Sequence, residues 1–580
     1  MKWELLQSDE QTVAMLAEHM GIHPVIATLL VNRGITEPAI ARSFLASDLA
    51  DLSDPNCFSQ MAQAVKRIKD AIARKEKVTI YGDYDVDGVT GSALLFLVLR
   101  EMGAEVTCYI PDRMTEGYGL NAAALQKIRD AGSRLVITVD CGISALEAAL
   151  RARELGLDLI ITDHHEFYDG PSAAEGAPLL PEAFAVIHPA LLVPDLPPGT
   201  REAVRGITGV GVAFKLVHAL TGTGQDPGQL AGYLDLVTLG TIADVGRITG
   251  ENRILVRYGL QRLSSTEQQR PGIAALKQAA GLNGKTITAG IVGFTIAPRI
   301  NASGRMEHAD AAFRLLTTGS DEEACRIAQD LENVNRERQR VEERILDDAR
   351  GQCREVALDS TGALVLASRD WHPGVIGIVA SRIVDEFYRP AALISVKDGI
   401  GKGSARSIPG YDLYGGLKRC ADLLCGFGGH TYAAGFTINE ERIPEFRERL
   451  GSLVREHMGA GGFVKKLMID GPVKLCDLTF PLMQDMERLA PFGLGNPEPR
   501  LGARALTVLS ARTVGNKHLK LKLKQEQGLS FDAIAFNSSD TLGRTVRDNV
   551  RIAAVFTPRL NRWNGTTSIE LEIRDVKAER

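Results

Sequence analysis

Three short apolar runs, each closed by acidic or imidazole side chains, constrain this chain more than any other feature. Residues 77–81 (KVTIY) lead into GDYDVDG, which carries Asp83, Asp85 and Asp87. Leu135–Val139 (LVITV) ends at Asp140, and residues 157–162 (LDLIIT) end at Asp163-His164-His165. Ala185–Ile187 is a fourth such run. Runs of this length, separated by helical patterns such as residues 89–102, read as a buried parallel sheet with crossover helices. In such a sheet ligands bind at the carboxyl ends of the strands. Neighbouring strands lie about 4.8 Å apart, so these side chains converge on one edge. Crowded carboxylates cannot all stay ionised without a compensating cation. Oxygen donors with one or two imidazoles suit Mn²⁺ or Mg²⁺ better than zinc. The set is large enough for two ions about 3.5–4 Å apart, an arrangement used for in-line displacement at phosphorus. Asp244, in Gly240-Thr241-Ile242-Ala243-Asp244, is a further candidate. Taken singly, each Asp is better read as a turn residue or helix cap; the convergence with His-His is what points to metal.

A length of 580 residues suggests roughly three to four domains. The chain divides into 1–60, with a helical pattern; 61–250, the α/β segment; 251–352, helical; 353–463, a second α/β module; and 464–580, where short alternating strands at 519–523, 531–536, 550–556 and 568–573 suggest a small β-barrel. Residues 170–200 are rich in Pro, Gly and Ala and read as a loop. Ser320 with Glu323 forms a capping box, after which Ile327, Leu331, Val334, Val341 and Ile345 recur at helical spacing. A helix of about 30 residues would span roughly 45 Å and bridge two domains. No run of about 18 apolar residues occurs. The start, MKWELLQSDE, lacks the pattern of a secretory leader. The eight cysteines are scattered without a C-x-x-C pair, which argues against a zinc ribbon or disulfide framework and for a reducing cytoplasm. Between residues 500 and 562 twelve Lys/Arg face four Asp/Glu, on a chain of net charge −5. That asymmetry fits either a polyanion partner or a solvated basic face.

The motifs Asp83-Tyr84-Asp85-Val86-Asp87-Gly88, Val139-Asp140-Cys141-Gly142, Asp163-His164-His165 and Thr241-Ile242-Ala243-Asp244 occur in an order that resembles the DHH phosphoesterase family. Further segments resemble its RecJ branch of single-strand-specific exonucleases. They are Pro111-Asp112-Arg113, Glu116-Gly117-Tyr118-Gly119, Pro298-Arg299-Ile300-Asn301-Ala302-Ser303-Gly304-Arg305, Trp371-His372-Pro373-Gly374, Gly403-Ser404-Ala405-Arg406 and Gly428-Gly429-His430. The last is similar to the glycine-rich signature of the DHHA1 domain, with Phe427 where another glycine is common. The resemblance covers nearly the whole chain, and its length is similar to the shorter form of that branch, without an additional C-terminal domain. It implies an α/β fold: a parallel-sheet DHH domain and a smaller α/β DHHA1 domain joined by a long helix, with a C-terminal β-barrel of the OB type.

By this resemblance Asp83, Asp85, Asp140, His164 and Asp244 would hold two divalent ions, with Asp140 and Asp85 shared. Asp87 is either a ligand or an orienting group. His165 either meets substrate phosphate or orients the centre, and Asp163 fixes an imidazole tautomer. Arg113, Arg299, Arg305 and Arg406 are phosphate-clamp candidates because a guanidinium matches phosphate in a two-point fork. Asn301 and Gly304 read as a tight turn presenting backbone. Ser404 and the backbone near His430 add donors. His372 is either a contact or a loop histidine, and Tyr118 either stacks on a base or closes a turn. In the barrel, Lys517, Lys520, Lys522, Phe536, Arg559 and Trp563 are candidates for a single-strand groove; Phe531 or Phe536 equally fits barrel core. The implied activity is 5′→3′ hydrolysis of single-stranded DNA to mononucleotides in recombination and repair. The implied setting is a cytoplasmic monomer working with a single-strand-binding protein and a helicase. Two other readings remain: a phosphodiesterase for short oligonucleotides or cyclic dinucleotides, which needs no basic barrel, and a non-catalytic replication scaffold, which would have eroded metal motifs.

Overall fold

Val78–Gly82 and Leu135–Val139 are β-rich and buried along their whole length, as strands covered on both faces must be. In the computed structural model, residues 1–579 are described except 114, 118, 168–178, 223–226, 268, 307, 308, 359, 360, 460, 461, 516, 527, 544, 545 and 564; the side chains of 227, 228, 540, 541 and 563 are also outside the description. The chain forms two compact units. The larger comprises Trp3–Ala297, Phe313–Ala324 and Leu467–Arg580, and the smaller Met1–Lys2, Pro298–Ala312 and Cys325–Lys466.

A short strand, β1 (Lys2–Leu5), precedes three helices, Glu10–Met20, Pro24–Asn32 and Pro38–Ala46. β1 departs from the helical patterning of residues 1–60: this stretch pairs with a strand more than 460 residues away, a partner no local pattern reveals. The parallel sheet that follows contains β2 (Val78–Gly82), β3 (Val106–Tyr109), β4 (Leu135–Val139), β5 (Asp158–Thr162) and β6 (Ala185–Ile187), in the order β3-β2-β4-β5-β6. Its register aligns Gly82 with Val139, Val139 with Thr162 and Thr162 with Ile187. Against it lies the helix Val86–Glu101, which starts three residues earlier than its apolar pattern because Asp85 caps it. It is buried on nearly every side, as expected of a central helix. Gly209–Thr221 and Leu234–Ala243 pack on it.

The smaller unit has β7 (Leu364–Ser368), β8 (Ala391–Lys397), β9 (Ile400–Arg406), β10 (Leu424–Gly429) and β11 (Ala433–Asn439) in the order β10-β11-β9-β8-β7. Only β7 and β8 are parallel, and the helix Ile376–Phe387 forms their crossover. Asp398-Gly399, both with positive φ, close the β8–β9 hairpin, as a two-residue turn requires. The long helix runs from Asp321 to Arg354, 34 residues, or about 51 Å. Ser320 Oγ accepts from Glu323 N as expected, and the Glu323 carboxylate accepts from the Thr318 hydroxyl.

The C-terminal strands are β12 (Lys466–Ile469), which pairs with β1, β13 (Gly471–Pro472), β14 (Leu501–Val514), β15 (His518–Gln525), β16 (Ser530–Ala535), β17 (Arg551–Trp563) and β18 (Thr566–Ala578). β14-β15-β16-β18-β17 closes into a barrel through the β14–β17 pairing. Along β15, Leu519, Leu521 and Leu523 point inward. The barrel interior and the N-terminal helices share one core, with Leu16, Ile26, Leu29, Leu30 and Leu45 joining Leu506, Leu521 and Phe556. Among the described residues no helix is long and apolar enough to cross a membrane.

Arg253, in the helix Gly250–Ser264, ties these parts together. It is 1% exposed and lies 3.9 Å over the Phe44 ring. It donates to the carbonyls of Phe44, Arg488, Leu489 and Pro491. Burial lowers its pKa to about 9, so the charge is retained only because those carbonyls replace water. Arg253→Met leaves several buried carbonyls unmatched and is expected to lower stability by about 3 kcal/mol, measured from urea midpoints. A loss below about 1 kcal/mol would show that the tie carries little energy.

Candidate metal centre

The register of the parallel sheet builds the centre. Asp83, Asp140, Asp163 and His188 are the residues that follow the aligned ends of β2, β4, β5 and β6. Their backbone continues the ladder: Asp83 N donates to Val139 O, Asp140 N to Thr162 O and Asp163 N to Ile187 O, at 3.2, 3.0 and 3.2 Å. Asp140 then turns away with φ +63, a left-handed conformation that Asp and Asn tolerate better than other side chains. Gly209 faces it, and a Cβ there would stand 2.5 Å from the Asp140 carboxyl. Glycine at 209 is thus a condition of the close approach.

Asp85 caps the helix Val86–Glu101, accepting from Asp87 N and Gly88 N. Asp87 is fully buried, and its two oxygens accept from Gly209 N and Val210 N at 2.7 and 2.9 Å. It anchors the start of one helix from the start of another. Asp244 follows the helix Leu234–Ala243. His164 Nε2 lies 3.1 Å from Asp140 Oδ1, 3.6 Å from Asp244 Oδ2 and 3.8 Å from Asp87 Oδ2. Asp163 does not face this group. Its Oδ1 accepts from the backbone of His164 and His165 and pairs with His165 Nδ1 at 2.8 Å, while Oδ2 accepts from Ile143 N. His188, which the sequence reading did not single out, accepts from Ala190 N at Nδ1, so its Nε2–H donates to the carbonyl of His165.

Electrostatics separate these groups. Burial, then the charge of Asp85, lifts Asp87 to about 7, and burial with Asp87 and Asp85 lifts Asp244 to about 8. Burial and neighbouring carboxylates push Asp83 and Asp140 well above the usual carboxylate range. Burial also acts to raise Asp163, but its hydrogen bonds and the charge of His165 outweigh that and hold it below its ordinary value. The two histidines diverge: burial and His165 press His164 down to about 3, whereas the Asp163 partnership outweighs burial and lifts His165 to about 9.

This donor set fits divalent cations. Asp83, Asp85 and Asp140 form one group of ligand atoms within 4.8 Å of one another, Asp87, His164 and Asp244 a second, and Asp140, His164 and His165 a third. Asp83 Oδ1 and His164 Nε2 are buried, and neither makes a hydrogen bond among the described residues. A neutral imidazole is the metal-binding form, and oxygen-rich sets with an imidazole suit Mn²⁺ or Mg²⁺.

Of the remaining candidates, Arg113 lies 4.9 Å over the Tyr84 ring, and its charge works against the rise of Asp83. Tyr118 lies outside the described residues. In the smaller unit, Arg299 pairs with Glu332 at 2.7 Å. The tight turn expected around Asn301 and Gly304 is instead part of the helix Ala297–Met306. Burial of Ile300, Ala302 and Ser303 outweighs the weak helix propensity of Asn, Ser and Gly. Arg305 donates to Gly374 O, and Gly374 N to His372 Nδ1, so His372 shapes its own loop. Arg406 donates to Ser404 Oγ. Gly377 sits over this pair, where a Cβ would be 2.8 Å from Ser404 Oγ. His430 is exposed in the β10–β11 turn.

In the barrel, Phe531 is core and Phe536 is 51% exposed against His518. Lys517 and Lys522 are exposed, and Lys520 lies 3.9 Å from Glu570. Arg559 is held by Glu498 and Glu572, which an isolated basic count does not reveal. The Trp563 side chain is outside the description.

The chain matches the DHH family N-terminal domain over 77–241, the DHHA1 domain over 360–456 and the RecJ OB domain over 469–575. It is 40% identical to the single-stranded-DNA-specific exonuclease RecJ of Bacillus subtilis over 99% of its length and 71% of that protein's. The chain belongs to the RecJ family. Two solved RecJ structures from Thermus thermophilus are similar over the whole chain. One, in complex with Mn²⁺, gives a TM-score of 0.81 at 30% identity over 80% of that chain. The other, in complex with Mg²⁺, gives 0.77 at 29% over 79%. The RecJ-family fold thus comprises the DHH, DHHA1 and OB domains that the motifs implied.

Between about pH 4 and 9 the metal-free fold holds protons on Asp87, Asp244 and His165 that the unfolded chain releases, so stability falls as pH rises through that window. His164 opposes this only below its ordinary value of 6.5. The melting temperature in a chelator is therefore expected to drop between pH 6.5 and about 9, and added Mn²⁺ to reverse the drop. A melting temperature that is flat with pH and indifferent to Mn²⁺ would contradict the electrostatic picture.

Proposed function

We propose that this RecJ-family chain is a single-stranded-DNA-specific exonuclease that hydrolyses phosphodiester bonds from the 5′ end and releases 5′-mononucleotides, using two divalent ions, Mn²⁺ or Mg²⁺. The observation that carries this reading is the convergence of Asp83, Asp85, Asp140, His164 and Asp244 at the ends of β2 and β4 and on the flanking elements, in a chain of this family. The 5′ polarity rests on the family resemblance alone.

In this reading those five residues hold the ions. When bound, the ions supply Lewis-acid stabilisation of the attacking and leaving oxygens and make water a better nucleophile. Asp87 is a positioning residue that fixes two helix starts around the centre. Asp163 keeps the His165 imidazole charged and oriented, so His165 offers a cation to phosphate beside the ligands. His188 braces the His165 backbone. Arg113 in the DHH domain, and Arg305, Ser404, Arg406 and His430 in the smaller unit, are proposed to bind substrate phosphate, with Arg299, Asn301 and His372 shaping their neighbourhood. Lys517, Lys520, Phe536 and Trp563 are proposed to meet the strand on the barrel, with Arg559, tied to Glu498 and Glu572, shaping that face, and Tyr118 to stack on a base. The basic barrel favours this over a small-substrate phosphodiesterase, which has no need of it. A cytoplasmic setting in recombination and repair, a monomeric state, and a single-strand-binding protein and helicase as partners complete the proposal.

End-labelled single strands test it directly. With Mn²⁺, 5′ label should leave as mononucleotide before 3′ label. Asp140→Asn is the appropriate variant because Asn tolerates the left-handed backbone while removing the charge. It is expected to lower kcat by at least about 100-fold. Undiminished turnover in that variant, or loss of the 3′ label first, would overturn the assignment.

A further inference from the structure

Beside the metal centre, on the β6 side, lies a cavity of about 550 Å³ into which His164 and His165 face. Its far wall carries Arg201 and Arg205, from the helix Thr200–Val204 and the residue after it. The two are four residues apart, a spacing that puts side chains on one helix face. Both are exposed, and neither has an ion-pair partner among the described residues. Phe167, tilted against the His188 ring at 4.6 Å, and Pro189 give an apolar wall.

We propose that this cavity is a subsite for a single nucleoside monophosphate unit, with Arg201 and Arg205 gripping its phosphate and Phe167 and Pro189 meeting its base. The inference rests on the nuclease reading of the adjoining centre. Three observations carry it. First, the volume falls within the range of small-ligand sites, about 300–1,000 Å³. Second, two guanidiniums make paired forks that match phosphate geometry. Third, Glu166 and Glu202 also line the cavity. They cancel the formal charge of the two arginines, so this wall does not attract a run of phosphates by its field. It recognises one phosphate by directed hydrogen bonds. Because His164 and His165 are shared with the centre, a unit seated here is the immediate neighbour of the scissile phosphate. It is either the terminal nucleotide of a bound strand or the mononucleotide just released.

The test compares the full chain with Arg201→Gln/Arg205→Gln and with Arg201→Lys/Arg205→Lys, all loaded with Mn²⁺. Binding of deoxyadenosine 5′-monophosphate and of deoxyadenosine is measured by calorimetry, and digestion of single-stranded DNA by steady-state kinetics. The Gln pair should weaken monophosphate binding at least about tenfold, the Lys pair should weaken it less, and the nucleoside should bind poorly to all three. If KM for the strand rises in parallel, the occupant is the terminal nucleotide; if only monophosphate binding falls, it is the released product. Monophosphate binding unchanged in the Gln pair overturns the subsite. Calorimetry does not depend on turnover, so failure of the wild type to degrade DNA would count against the nuclease reading and leave this result to be judged separately.

Discussion

Asp83, Asp87 and Asp140, buried, and Asp85 and Asp244, half-buried, are gathered at one sheet edge, and their mutual repulsion is the constraint around which the larger unit is built. The backbone answers part of it. Asp87 is matched by two N–H groups at the start of Gly209–Thr221, and Asp85 by two in its own first turn. Helix starts carry partial positive charge, so both carboxylates are stabilised where they sit. Asp83 Oδ1 and His164 Nε2 receive no such hydrogen bond among the described residues. The groups that the backbone leaves to each other are those for which a cation is the natural complement.

The two adjacent histidines illustrate how one carboxylate sorts neighbours into different tasks. Asp163 is turned from the cluster and spent on His165 Nδ1 and three backbone N–H groups. That partnership favours the charged form of His165, while burial favours the neutral form of His164. Side by side, one imidazole suits a metal and the other an anion. The dipeptide His-His does not by itself set this division, which depends on which ring Asp163 reaches.

Much of the site was legible because its logic is local. Each β-rich run ends where its acid begins, and parallel register does the rest. His188 was missed although it ends β6 in the same way. The run Ala185–Ile187 is only three residues long and lies within residues 170–200, a stretch rich in Pro, Gly and Ala that reads as a loop. The supposed turn at Asn301 was misread because Asn, Ser and Gly are weak helix formers, whereas the helix is held by burial of Ile300 and Ala302. β1 and the shared core of the N-terminal helices with the barrel were beyond reach, since they join opposite ends of the chain.

Charge counting misleads in the same non-local way. The excess of Lys and Arg between residues 500 and 562 is not a uniform basic face. Arg559 is tied to Glu498 and Glu572, and Arg562 to Glu487. Glu487 and Glu498 lie just outside the counted window, so the count omitted the partners that neutralise those arginines. Basic side chains also line β15, where alternation sends Leu519, Leu521 and Leu523 inward and turns the lysines between them outward, with Lys520 lying 3.9 Å from Glu570. Phe536 is exposed against His518 at the start of that strand. Lysines along a strand with an exposed aromatic at its end are what a single-strand groove asks for. The cationic face of the barrel is therefore narrower than its composition implies, and it is drawn by strand periodicity rather than by net charge.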